Sequence, residues 1–187
     1  MTSSEDDRGW RRLRSAAGLA SIGDSATILR AGLIALAALG VVGLLFELVF
    51  LRHWSTVGAL VVWPALGAAG LATVVLAGHP TPRRVRLVRA LALGVVVAGL
   101  VGMVLHVNEN LLAGPLDRNY AATWDSLAAA TQLFLAITGG VGPAPALAPG
   151  SMSELGLAIV LATLRHPALE PAAASSATSE RRALARS

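Results

Sequence analysis

Apolar residues in this chain run on instead of alternating with polar ones. From residue 31 to 51 the only acidic or basic side chain is Glu47, and from 57 to 77 there is none, with Pro64 as the one interruption. A third stretch, 88–107, is entered through Arg83, Arg84, Arg86 and Arg89 and is the most uniformly apolar. Each is about as long as the roughly 20 residues a helix needs to cross a 30 Å hydrocarbon core. Pro64 does not break the assignment, because neighbouring helices in a bundle can satisfy the backbone that a proline frees.

Beyond residue 107 the pattern weakens. Residues 121–138 are helix-like but diluted by Thr123, Asp125, Ser126, Thr131, Gln132 and Thr138. Thr123 is placed as an N-cap, with Asp125 in the first turn and Gly139-Gly140 as the stop. Residues 141–150 then hold three prolines, and 151–164 are apolar up to Arg165-His166-Pro167. Fourteen helical residues rise only about 21 Å, so a last span has to begin earlier, near Ala146, and occupy 146–165. Residues 166–187 lack apolar periodicity and read as a disordered tail. Within the basic segment 1–30, Trp10 to Arg14 with Leu19 and Ile22 could form a helix on anionic headgroups.

Composition changes this picture in two respects. Charged residues make up 14% of the 187, well under the roughly 25% of soluble domains, and mean hydropathy is +0.65. Cysteine is absent, which removes disulfides and thiolate chemistry; all 15 basic residues are arginine, which removes lysine-based chemistry. The arginine-rich, lysine-free composition is that of a high-GC bacterial genome. Five arginines lie in 1–30, four in 78–89 and four in 165–187, against Arg52 and Arg118 on the opposite side. Cytoplasmic flanks carry the arginine excess, so both termini are expected in the cytoplasm and the number of crossings is even. The expectation is an all-α polytopic protein of a bacterial inner membrane. Four spans would form a bundle, and 121–138 would be an interfacial or re-entrant helix on the outer side; a fifth span would export the arginine-bearing tail. Basic residues scattered in this way orient a membrane protein and do not form the single stripe that nucleic acid requires.

Candidate chemistry comes from ionisable residues on small-residue faces. Residues four apart share a helix face, and small residues at that spacing let membrane helices approach closely. Ala90, Gly94, Ala98 and Gly102 make such a stripe and extend to His106 and Asn110. Ala31, Ala35, Leu39 and Gly43 lead to Glu47, while Gly150, Glu154, Ala158 and Ala162 share a face in the last stretch. Intramembrane ionisable residues mark functional sites by default, so Glu47, His106 and Glu154 form a candidate site near the outer ends of their spans. Asn108, Glu109 and Gln132 are possible second members. Two carboxylates and an imidazole suit a proton or a divalent metal, but no spacing completes a ligand set. The bland alternative stays open: Ser151-Met-Ser-Glu154 matches a capping box, Glu47 can pair with Arg52 or His53, and His106 can sit in interfacial water. His53 and His106 on one side, with His79 and His166 on the other, formally allow haem ligation, although His-Pro pairs past helix ends fit carbonyl capping better.

With no catalytic motif and no sizeable soluble domain, the leading expectation is a non-enzymatic membrane subunit or accessory protein. Its partners would be the lipid bilayer, a second copy or a larger membrane protein. Handling of a metal, proton or small ligand by the Glu/His cluster is the alternative, and a haem protein or other membrane enzyme comes third.

Overall fold

A computed structural model describes the backbone of residues 3–55, 57–78 and 80–169 and, within these, side chains from Ser25 onward except those of Val57 and Gly58. Helix α1 spans Ser3–Phe50, α2 Val57–Leu60, α3 Val62–Ala77, α4 Pro82–Ala113, α5 Ala129–Thr138 and α6 Gly150–Ala162; short 3-10 turns lie at Gly114–Leu116, Trp124–Ser126 and Pro167–Leu169. No strand occurs among the described residues. Two stretches, Ser25–Phe50 and Pro82–Leu116, are long and apolar enough to cross a membrane, and only 11% and 17% of their most apolar windows are buried within the protein. The core helix of a soluble protein would be mostly buried; here Leu39, Phe46 and Phe50 of α1 and Val97, Val104 and Leu112 of α4 face outward.

Local sequence accounts for the breaks. Pro64 has no N–H for the Leu60 carbonyl and its ring crowds that carbonyl, so the apolar run 57–77 divides into α2 and α3 at Val61. Thr81 caps α4 by accepting from the Arg84 N–H (3.4 Å), and Pro82 occupies the first helical position, where no N–H is required. Gly139 ends α5 in the left-handed conformation, at φ 72°, and the Gly140 N–H reaches back to the Leu135 carbonyl at 2.8 Å. Helix α1 closes in the same way, with the His53 N–H on the Leu48 carbonyl, although the left-handed position is held by Arg52 at φ 51°.

Helices α1 and α4 each pack against both α3 and α6. The shared core is built of small and branched residues, among them Ala37, Ala69, Ala72, Ala92, Val95, Leu155 and Ile159. Close approach between α4 and α6 depends on glycine: a Cβ on Gly156 would lie 2.8 Å from the Ala92 carbonyl and 2.9 Å from the Val96 nitrogen. Opposite, Gly99 makes room for Ser153, whose hydroxyl donates to the Val96 carbonyl at 2.9 Å.

Several expectations are corrected. Thr123 does not cap a helix: Trp124–Ser126 is a separate 3-10 turn, and α5 begins only at Ala129. The Trp124 carbonyl is taken by the Gln132 side chain at 2.7 Å, and its ring covers Gly114, where a Cβ would collide with it. Ser151 and Glu154 form no capping box: α6 starts at Gly150 without a side-chain cap, and the Ser151 hydroxyl donates instead to the Ala148 carbonyl (2.7 Å). The tail is not irregular from its first residue, since Pro167–Leu169 turns back against α4. Residues 170–187, His79 and the side chains of 3–24, including the basic cluster Trp10 to Arg14, lie outside the described residues.

Candidate functional site

Sequence reasoning put Glu47, His106 and Glu154 on three packing faces. The structure puts the first and third on the surface. Glu47 is exposed near the end of α1, and the stripe leading to it points away from the other helices: Ala31, Ala35, Leu39 and Gly43 are all exposed, and nothing lies within 4 Å of a Cβ placed on Gly43. The packing face of α1 lies beside it, where Ala37 is buried, Gly40 meets the Leu155 side chain and Val41 meets Gly70.

Glu154 is exposed in the first turns of α6, on a face continued by Leu157, Leu161 and Leu164. Its height follows from its neighbours. Leu155 touches Gly40, and Ser153 touches Val96 and Gly99, so Glu154 is level with the middle of the two long apolar stretches, 25–50 and 82–116.

His106 is half-buried, and its Nδ1 donates to the Pro145 carbonyl at 3.2 Å. It therefore helps to hold the segment between α5 and α6 and is not aimed at either glutamate. Among the described residues no three His, Asp or Glu side chains lie together as a group able to hold a metal. Neither Glu109 nor Asn108 joins such a group; both are exposed.

The organised polar groups are elsewhere. Asn110, fully buried, donates through Nδ2 to the carbonyls of Ala136 (2.9 Å) and Ala144 (2.7 Å) and accepts the Ala144 N–H on Oδ1 at 2.9 Å. One amide thus ties α4 to the end of α5 and to the proline-rich segment. Gly142, at φ 74°, passes directly over it, and a Cβ there would collide with the Asn110 oxygen.

At the other end of the fold two arginines close the C-terminus of α6. Arg89 Nε and Nη2 donate to the Thr163 hydroxyl and carbonyl, while Arg30 Nε and Nη2 donate to the carbonyls of Ala162 (3.2 Å) and Arg165 (3.1 Å). The last carbonyls of a helix carry partial negative charge and lack intrahelical partners, so cations from neighbouring helices are suited to them. His166, expected to cap these carbonyls itself, instead accepts the Ala168 N–H on Nδ1 at 3.2 Å. Burial first, and the Arg30 charge second, lower its pKa from the ordinary histidine value.

Sequence reasoning missed the pairing of Arg30 and Arg89 with Thr163 and its neighbours, because it counted arginines only as orientation signals. Arg89 lies four residues after Val85 and three before Ala92, both buried, and this helical spacing is the sign that its side chain sits at the packing face. On the α3 side, Trp63 donates its indole N–H to the His53 carbonyl at 2.8 Å and stands beside the Trp54 ring. No family model, curated protein or solved structure matches this chain.

Proposed function

We propose that this chain is a small integral protein of a bacterial inner membrane, crossing it four times with both termini in the cytoplasm. In this reading it acts as a non-enzymatic subunit whose exposed helix faces associate with another protein or with a second copy. The observation that carries the reading is Glu154. A carboxylate exposed on the leucine face of α6, level with the middle of the apolar stretches of α1 and α4, would meet lipid if nothing covered it, and an acidic residue at that depth costs on the order of 3 kcal/mol on insertion scales. A neighbouring helix offering a hydrogen-bond donor or a cation removes that cost. Support also comes from the arginine distribution and from the open small-residue face Ala31, Ala35 and Gly43, where a second backbone can approach.

The absence of native cysteine makes the test direct. A photoreactive benzophenone is attached to Leu157→Cys or Leu161→Cys on the α6 face and, as a reference, to the exposed Leu100→Cys on α4. After irradiation in native membranes the α6 positions are expected to give a protein adduct of defined mass, and the α4 position lipid adducts. Lipid adducts alone from all three positions would remove the subunit reading.

A further inference from the structure

Between α3 and α4 runs an open groove of about 450 Å³, lined wholly by apolar and mostly small residues: Pro64, Ala65 and Ala68 on one wall, Ala90, Gly94 and Ala98 on the other. Nothing among the described residues lies within 4 Å of a Cβ on Gly94, so none of them closes the α4 wall. From Ala90 to Ala98 the groove follows α4 for about 12 Å at 1.5 Å per residue.

One and two turns before Ala90, continuing towards the start of the helix, come Arg86, Arg84 and Arg83, all exposed. Among the described residues Arg86 reaches the Pro82 carbonyl of its own helix, at 3.4 Å. Arg89 is committed to Thr163. The sequence from 48 to 108 contains no aspartate or glutamate, so neither α3 nor the part of α4 that borders the groove brings an acid to these three outward-facing guanidiniums.

We infer that the α3–α4 groove holds an acyl chain of an anionic phospholipid whose phosphate is bound by Arg83, Arg84 and Arg86. The inference rests on the membrane reading above, which places these arginines at the cytoplasmic headgroups and the groove in the adjoining leaflet. Basic pockets between membrane helices on the cytoplasmic side bind acidic headgroups, and guanidinium is suited to phosphate through paired N–H donors. An anionic phospholipid matches both features in one molecule, its acyl chain meeting the apolar walls and its phosphate the three arginines.

The test offers purified full-length protein equal amounts of phosphatidylglycerol and phosphatidylcholine in detergent and counts retained lipid by native mass spectrometry. Wild type is expected to retain phosphatidylglycerol preferentially. Each of Arg83→Gln, Arg84→Gln and Arg86→Gln should weaken that retention by about fivefold, the effect of one basic residue near an acidic surface. Gly94→Leu, which fills the groove, should lower retention of both lipids, as should the second filling variant Ala98→Leu. Val97→Leu, on the exposed neighbouring face, should change neither, and helicity by circular dichroism verifies folding of each variant. Equal retention of the two lipids by wild type, or unchanged retention in both folded filling variants, overturns the inference. Carbonate extraction of cell membranes separates the two failures: a released protein overturns the membrane reading, whereas an embedded protein without phosphatidylglycerol preference overturns only the lipid site.

Discussion

Arg89 of α4 binds Thr163 of α6 twice, Nε to the hydroxyl at 3.0 Å and Nη2 to the carbonyl at 2.9 Å, where solvent does not reach the threonine. The threonine hydroxyl in turn donates to the Val160 carbonyl at 2.6 Å. Arg89→Ala would leave a buried carbonyl without its charged partner, at a cost of about 1–3 kcal/mol. Arg89→Lys should recover only part of this, because an ammonium cannot reproduce the two-pronged geometry of guanidinium. Thermal unfolding in detergent should therefore rank wild type above Arg89→Lys above Arg89→Ala. Equal melting temperatures would mean that the contact contributes nothing to the fold.

Asn110 makes an equivalent tie at the opposite end of α4. Its replacement by leucine leaves the carbonyl and N–H of Ala144 and the carbonyl of Ala136 to find other partners. The expected result is local: loss of about 1–3 kcal/mol, with amide hydrogen exchange accelerating across residues 136–149 and little change at the end of α6. Gly142→Ala should give the same exchange pattern by a different route. It forces a side chain into the left-handed region and against the Asn110 oxygen.

The long helices were legible in the sequence because their signal is length and apolarity, and both survive in the structure over 31–50 and 88–107. Helix faces were not. A four-residue spacing of small side chains identifies a face that can pack closely but not whether anything packs there; on α1 the stripe through Ala35 and Gly43 faces outward, and the neighbouring face carrying Ala37 and Gly40 meets α3 and α6. The level of one helix against the next is not set by spacing either. Placing Glu154 at an outer end assumed a helix beginning near Ala146, whereas the prolines up to Pro149 delay α6 until Gly150, and its contacts with Gly40 and Gly99 fix its height. Asn110 appeared in the sequence only as the extension of a stripe, since its partners on Ala136 and Ala144 are backbone atoms that no side-chain pattern announces.

Glycine substitutions separate the packed face from the open one. At Gly156 an added methyl meets the backbone of α4 at 2.8 Å, and at Gly99 it meets the Pro149 carbonyl at 2.8 Å and the Ser153 nitrogen at 2.7 Å. Backbone cannot swing aside, so Gly156→Ala and Gly99→Ala must push α4 and α6 apart, at about 1–3 kcal/mol. Gly43 and Gly94 have nothing within 4 Å, and alanine there should be neutral or stabilise the helix by up to about 1 kcal/mol. Melting temperatures of the four variants should fall into two pairs; a loss of stability for Gly43→Ala or Gly94→Ala in isolated protein would show that those faces are packed after all.

His166 makes the end of this fold at the α6 C-terminus sensitive to acid. Burial and the Arg30 charge lower its folded-state pKa from 6.5, so between the folded and unfolded values the unfolded chain binds more protons than the folded one. Stability then rises with pH across that interval. The neutral ring imposes no penalty above about pH 6.5; as pH falls below that, protonating the unfolded state becomes favourable while the folded state resists, and the loss levels off once pH drops under the folded pKa. Protonation also removes the Nδ1 lone pair that accepts the Ala168 N–H. His166→Gln keeps an acceptor for that N–H and cannot titrate. The difference in melting temperature between wild type and His166→Gln, followed from pH 8 to pH 5, should change below about pH 6.5, with wild type losing more. A difference that stays constant across the range would show that the folded and unfolded states hold this proton equally well.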